Sequence, residues 1–137
     1  MSFEILPHTA DVRLKVMGQS LDNLFLESLK GMNELMYGRG SKRQTKTSIQ
    51  ETLKLTASNP TMLLIYFLSE VLTLSHIHRA IFYKVSFKSL SDTVVEVKIS
   101  GTKTKKIKKD IKAVSYHEAQ IRKNKNDQYE TLIVFDI

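Results

Sequence analysis

Three carboxylates near the two extremities of the sequence are the groups with the clearest chemical potential. Asp11 follows the short segment Pro7–Ala10, Asp136 is the penultimate residue, and Ile137 carries the α-carboxylate. Anionic oxygen atoms are the ligands that hard divalent cations prefer. Carboxylates that are brought together repel one another at neutral pH, and a bound cation relieves that repulsion. We therefore expect a divalent-cation site if the fold brings these residues together. The alternative is that Asp11 forms a local turn and that Asp136 lies at a frayed strand end.

Two further residues could act beside such a site. His8 belongs to the same polar segment as Asp11, and Lys112 follows the lysine-rich stretch and opens a predicted strand. We expect both to contact a partner or a phosphate group, and Lys112 could also be a charge partner of the carboxylates. Otherwise Lys112 is a solvated residue at the edge of a basic loop. His76 and His78 form a His-x-His pair, but no third ligand follows, so we interpret them as an exposed turn.

The carboxylates can meet only if the strands that carry them are neighbours. Alternating apolar residues predict strands over Phe3–Leu6, Val12–Met17 and Tyr129–Ile137. The last of these is so hydrophobic that we expect it to be central in its sheet. Antiparallel pairing with the strand that begins at Val12 would set Asp11 opposite the end of the last strand, although the sequence does not fix that register.

The remaining patterns define the architecture. Ser20 can cap a helix over Leu21–Tyr37, and Asn59-Pro60 can begin a second, largely apolar helix that runs from Thr61 to about Ser75 and is expected to be buried. The other predicted elements are strands: Thr47–Thr56, a hairpin of Ile81–Phe87 and Val95–Ile99, and a phase-shifted strand over Ile111–Ile121 with a bulge near His117. This order favours an α+β fold class, with two helices packed on a largely antiparallel sheet and room for a second sheet layer, as a single domain spanning residues 1–137.

Composition narrows the class of protein. Hydrophobic residues make up 42% and charged residues 26% of the 137 residues, which is typical of a soluble globular protein. The absence of cysteine excludes disulfides and thiolate chemistry and suits the cytoplasm. We see no secretory signal, and the unbroken apolar run Met62–Leu68 is too short to cross a membrane. The net charge of +7 favours a polyanionic partner such as RNA, or an acidic protein surface.

The basic runs and the missing motifs bear on function. Lysines are concentrated over Lys103–Lys109 and again over Arg122–Lys125, without interleaved aromatic residues. These runs therefore indicate a solvated or phosphate-steering surface, through which RNA could be contacted indirectly, and not a base-stacking platform. The sequence has no glycine-rich phosphate loop, no nucleophile elbow and no His-Glu-x-x-His helix, so nothing indicates an enzyme nucleophile.

Three segments, taken together, resemble the archease family. They are His8-Thr9-Ala10-Asp11-Val12 with the Leu-x-x-Leu-Phe helix start at Leu21–Phe25, Lys112-Ala113-Val114-Ser115-Tyr116-His117, and the closing Val134-Phe135-Asp136-Ile137. The resemblance implies a small α+β protein that is not an enzyme but assists one. That enzyme is a GTP-dependent RNA ligase, which joins 2′,3′-cyclic or 3′-phosphate ends to 5′-hydroxyl ends in tRNA splicing and RNA repair. The accessory protein promotes its guanylylation and turnover.

The resemblance also implies a cofactor and its ligands. A divalent cation, calcium or alternatively magnesium or manganese, would be held by Asp11, Asp136 and the Ile137 carboxylate. This sequence departs from the family pattern at Arg13, where glycine is common, and at Gly101-Thr102, which precedes a lysine-rich loop in place of a mixed one. Two other interpretations stay open: a chaperone-like modulator of a tRNA-modifying enzyme such as a methyltransferase, and a metal-dependent hydrolase acting alone. No membrane partner is expected.

Overall fold

The computed structural model describes residues 2–6, 11–38, 49–104 and 107–137. Within these ranges the chain forms two helices and eight strands, in an order that confirms the predicted α+β class. The elements are β1 (Ser2–Leu6), β2 (Val12–Gly18), α1 (Leu21–Tyr37), β3 (Ile49–Thr56), α2 (Pro60–His78), β4 (Ala80–Leu90), β5 (Val94–Lys103), β6 (Ala113–Ser115), β7 (Arg122–Lys123) and β8 (Tyr129–Asp136).

The strands form two antiparallel sheets. The five-stranded sheet has the order β1-β2-β8-β6, with β7 also paired to β8, and the three-stranded sheet has the order β3-β5-β4. Strand β8 has neighbours on both sides, as its hydrophobic sequence predicted. Both sheets and both helices contribute side chains to one buried cluster, so the described chain is a single compact domain.

Helix α1 begins and packs as the sequence predicted. The Ser20 side chain accepts a hydrogen bond from the backbone N–H of Asn23 at 3.3 Å, and the helix ends before Gly38, whose φ is 86°. Gly31 faces β2 so closely that a Cβ atom there would lie 2.5 Å from a methyl carbon of Leu14. The helix therefore lies directly against β2, the strand that follows Asp11.

Helix α2 is the buried central helix that its composition indicated. Asn59 Oδ1 accepts from the N–H of Met62 at 2.9 Å, and Phe67 packs against Phe25 with ring centroids 5.4 Å apart. By length and a mean hydropathy of 1.3 this helix could span a membrane. Seven of its apolar residues are buried in the core, among them Leu64 and Leu68, while Tyr66 and Ile77 are exposed. Core packing therefore accounts for much of its hydrophobicity.

The predicted end of α2 is wrong. The helix continues through His76 and His78, which were expected in a turn, and stops at Arg79, whose φ of 50° is left-handed. Each histidine has a carboxylate partner: His78 Nε2 lies 2.7 Å from Glu51 Oε2, and His76 Nε2 lies 3.4 Å from Asp110 Oδ1. Contacts with distant parts of the chain accompany this last helical turn, and local sequence could not reveal them.

The predicted strand over Ile111–Ile121 is also wrong. Only Ala113–Ser115 forms strand, and the chain then turns at His117 and Glu118, where φ is 66°. The Ser115 hydroxyl accepts from the His117 N–H at 3.0 Å, which stabilises the turn. The change of phase in the apolar pattern therefore marks a turn between β6 and β7, not a bulge. As a result Val114 is buried while Lys112 and Tyr116 are exposed.

Candidate metal centre

The register of the five-stranded sheet brings the two aspartates to the same end of the sheet. The last pair of the β2–β8 ladder is Val12 with Phe135, and Asp11 and Asp136 are the next residues along the two chains. Asp11 lies in a bend just outside β2, and both aspartates are exposed. Ile137 follows immediately and is 36% exposed. We call Asp11, Asp136 and Ile137 the acidic tip.

Core packing fixes this register. Val12 and Leu14 of β2 pair with Phe135 and Ile133 of β8, and all four side chains are fully buried. A slip of one residue would turn the buried side chains of one strand toward solvent. The positions of Asp11 and Asp136 therefore follow from the hydrophobic alternation of the two strands that carry them.

The main chain of Lys112 lies beside the acidic tip. Its N–H donates to the carbonyl oxygen of Asp136 at 2.7 Å, and the next residue, Ala113, pairs with Asp136 in the β6–β8 ladder. The side chain of Lys112 is exposed. His8, the other residue named as a contact, lies outside the described residues. The structure thus brings Lys112 to the acidic tip and does not describe His8.

The donors of the acidic tip fit an oxygen-preferring divalent cation. Two side-chain carboxylates lie at the same end of the sheet, and Ile137 follows one of them directly in sequence. Among the described residues no three His, Cys, Asp or Glu side chains cluster with metal-binding geometry. Ile137, the third ligand expected from the sequence, is exposed beside Asp136.

An ion pair that sequence reasoning missed lies on the same sheet face. Arg13, two residues after Asp11 in β2, pairs its guanidinium with the carboxylate of Glu118 in the β6–β7 turn. The Arg13 Nε atom is buried and has no hydrogen-bond partner. The ion-pair partner of Arg13 is thus Glu118 and not a carboxylate of the acidic tip. The two residues are 105 positions apart, and no sequence signal links them.

Comparisons with known proteins agree with the fold. Residues 3–137 match the model of the archease protein family. Protein archease from Thermoplasma volcanium is 25% identical over 125 residues, which cover 89% of this chain and 91% of that protein. The solution structure of protein 1598 from Methanobacterium thermoautotrophicum has 19% identity and a TM-score of 0.77 over 99% of both chains. The crystal structure of an archease from Thermotoga maritima, described as a possible chaperone, has 19% identity and a TM-score of 0.65, and the match covers 98% of this chain and 96% of that one.

Proposed function

Because this chain belongs to the archease family, we propose that it is a divalent-cation-binding accessory protein that promotes guanylylation and turnover of a GTP-dependent RNA ligase in tRNA splicing or RNA repair. The observation that carries the proposal is the pairing of Val12 with Phe135, which brings Asp11 and Asp136 to the same end of the sheet. The description of the Thermotoga maritima archease as a possible chaperone supports a role exercised on another protein. The cytoplasm is the proposed location.

In the proposed mechanism the acidic tip is the part that reaches the ligase. Asp11, Asp136 and the Ile137 carboxylate would hold calcium, magnesium or manganese, and the bound cation would supply positive charge that offsets their mutual repulsion. Strands β2 and β6 hold β8 from both sides, so the tip is presented on a rigid support. Exposed Asp136 can then enter a cleft in the ligase without unfolding of the sheet.

Lys112 has a separate role in this mechanism. Its main-chain N–H is bound to Asp136, which leaves the exposed ammonium group beside the tip. A lysine at that place can contact a phosphate of the nucleotide or of the RNA end as a point charge. The tip would position the protein in the ligase, and Lys112 would help to orient the phosphate.

The test is guanylylation of a purified RNA ligase of this class with and without the protein. We expect Asp11→Asn and Asp136→Asn to lose most of the stimulation, because each removes an anionic donor of the cation. Asp92→Asn is the matched control, since Asp92 is exposed in the β4–β5 turn and lies outside the acidic tip. If folded Asp11→Asn and Asp136→Asn proteins stimulate the ligase as well as the control does, the proposal fails.

A second candidate is a chaperone-like modulator of a tRNA-modifying enzyme such as a methyltransferase. The observation that favours it is the exposure of Tyr66 (44%) and Ile77 (67%) on α2. They are about three helical turns apart and so lie on one face of the helix, where a partner could cover them. This function would be lost in a Tyr66→Ser, Ile77→Ser variant and retained in Asp136→Asn, whereas ligase stimulation should show the reverse pattern.

A further inference from the structure

We propose that a group of cations at the C-terminal ends of the two helices and next to the acidic tip binds the phosphate backbone of RNA directly. The group consists of Arg79, Lys103, Lys108, Lys109 and Lys112, which we call the basic collar. Their position and charge carry the proposal, and only the choice of RNA as the polyanion rests on the proposed function. The collar would allow the protein itself to bind nucleic acid, in addition to its role toward a protein partner.

Main-chain hydrogen bonds bring the collar together from distant parts of the sequence. The Thr104 N–H donates to the carbonyl of Arg79 at 2.8 Å, at the end of α2. Further along, the N–H groups of Lys108 and Lys109 donate to the carbonyl of Met36, at 2.7 and 3.1 Å, in the last turn of α1. The chain from β5 to β6 therefore touches the C-terminal ends of both helices before it reaches the acidic tip.

Side-chain packing holds the collar at this end. Ile111 is fully buried, so the chain between Lys109 and Lys112 is anchored in the core. A Cβ atom on Gly38 would lie 3.4 Å from Cδ of Lys108, which shows that the aliphatic part of this lysine lies over the end of α1. The collar thus consists of cations attached to a fixed surface.

Four charges of the collar form no ion pair with a carboxylate within the described chain. They are those of Arg79, Lys108, Lys109 and Lys112. The acidic residues close to α2, Glu51 and Asp110, are the partners of His78 and His76. The negative ends of the two helix dipoles stabilise cations at these positions. The collar can therefore persist as a positive surface in the free protein and attract a polyanion.

The composition of the collar favours phosphates over an acidic protein surface. Lysine is depleted in protein–protein interfaces, whose buried centres are aromatic and apolar. Residues 107–112 contain no aromatic side chain on which a base could stack. Exposed ammonium groups on flexible stems suit sequence-independent contacts with a phosphate backbone. Binding should therefore be strongly salt-dependent and insensitive to base sequence.

The collar adjoins the acidic tip. Lys109 N–H is fixed to Met36 and Lys112 N–H to Asp136, and three residues span at most about 11 Å. An RNA strand on the collar would consequently pass beside Asp136. A cation at the tip would lower the repulsion between the tip and the phosphates, so calcium should strengthen RNA binding, although binding itself should not require it.

The test measures binding of a fluorescein-labelled oligouridylate to the isolated protein by fluorescence anisotropy. Chelator is present and no ligase is added, so the result does not depend on the metal or on the ligase. If about four to five cations contact phosphates, log K against log salt should have a slope of about −3 for single-stranded RNA. The double substitution Lys108→Gln, Lys109→Gln should reduce the steepness by about 1.4 and weaken binding about 10-fold or more at low salt.

The matched control removes the same charge elsewhere. Lys84 and Lys98 are exposed on the outer face of the three-stranded sheet, where Lys84 pairs with Ser100 and Lys98 with Ser86. Lys84→Gln, Lys98→Gln should change the affinity less than about 2-fold and leave the slope unchanged. Equal weakening by the two folded double variants would show that only net charge matters and would overturn the proposal. A slope near zero, or no binding at low salt, would overturn it as well. Absence of RNA binding by a wild-type protein that stimulates the ligase would refute the collar and leave the proposed function standing.

Discussion

Replacing Asp11 by asparagine should change the stability in opposite directions without and with a divalent cation. Asp11 and Asp136 follow the last pair of the β2–β8 ladder, Val12 with Phe135, and direct continuation of that register would place their Cβ atoms about 5 Å apart. At that distance two unit charges in a water-like dielectric repel by about 0.8 kcal/mol, and physiological salt screens part of it. Because both residues are exposed, the high-dielectric figure applies. Asp11→Asn should therefore raise the free energy of unfolding by about 0.5 kcal/mol in chelator.

Calcium should reverse the order of stability of the wild-type protein and Asp11→Asn. A ligand at a hundred times its Kd stabilises the native state by about 2.7 kcal/mol, provided that it does not bind the unfolded chain. The wild-type protein should gain that stabilisation and Asp11→Asn should gain much less, because one anionic donor has become neutral. For a chain of this length, each 1 kcal/mol corresponds to a shift in Tm of about 3–5 °C. The variant should thus melt slightly above wild type in chelator and several degrees below it in calcium.

The assay is thermal unfolding followed by circular dichroism, in chelator and over a calcium titration. Asp92→Asn serves as the control, because it removes the same charge from an exposed turn outside the acidic tip. Its calcium response should equal that of wild type. A lower Tm of Asp11→Asn in chelator would mean that Asp11 stabilises a local turn and is not repelled by Asp136. Equal calcium responses of Asp11→Asn and the control would refute the cation site.

The remaining predictions concern three single residues. Burial raises the pKa of the Tyr37 hydroxyl, and this hydroxyl donates to the Ala80 carbonyl at 2.9 Å. Tyr37→Phe should cost about 1 kcal/mol at neutral pH. Since the unfolded chain loses this proton at a lower pH than the native protein, wild-type stability should fall as the pH rises above about 10, and denaturant unfolding should show a smaller fall for the variant. Gly101→Ala should destabilise by roughly 1–3 kcal/mol or more in urea unfolding, because its Cβ would lie 1.9 Å from the carbonyl oxygen of Ile81; unchanged stability would contradict this contact. Lys112→Gln should leave Tm unchanged, since the main-chain N–H binds Asp136, while it lowers ligase guanylylation; normal guanylylation would exclude the phosphate role.

The sequence predicted correctly the elements that depend on interactions between residues close together along the chain. Ser20 and Asn59 each accept a hydrogen bond from the N–H three residues ahead, so both helix starts were readable from sequence. The end of α2 was not, because its last turn is accompanied by contacts of His76 and His78 with carboxylates distant in sequence. The turn at Glu118 was missed for a related reason, since its positive φ occurs at a residue type that rarely adopts it.

The same distinction applies to the candidate site. Alternation in β2 and β8 allows one register that buries both apolar faces, and that register brings Asp11 and Asp136 to the same end of the sheet. The pairing of Arg13 with Glu118 depends on how the β6–β7 turn folds back, which no pattern in either segment encodes. The sequence likewise allowed a second sheet but did not require it. The division of the strands into two sheets depends on contacts between strands far apart along the chain.

The segment that follows β5 is held in place by main-chain hydrogen bonds. Its path therefore does not depend on which side chains it carries. The donors to Arg79, Met36 and Asp136 are all peptide N–H groups, which every residue except proline supplies equally. Lysines at exposed positions such as 108 and 112 can therefore be exchanged for glutamate or serine while the chain keeps its course. The charge at this end of the molecule can then be changed while the fold stays the same. Variants of opposite charge at these positions could be used to distinguish between binding partners.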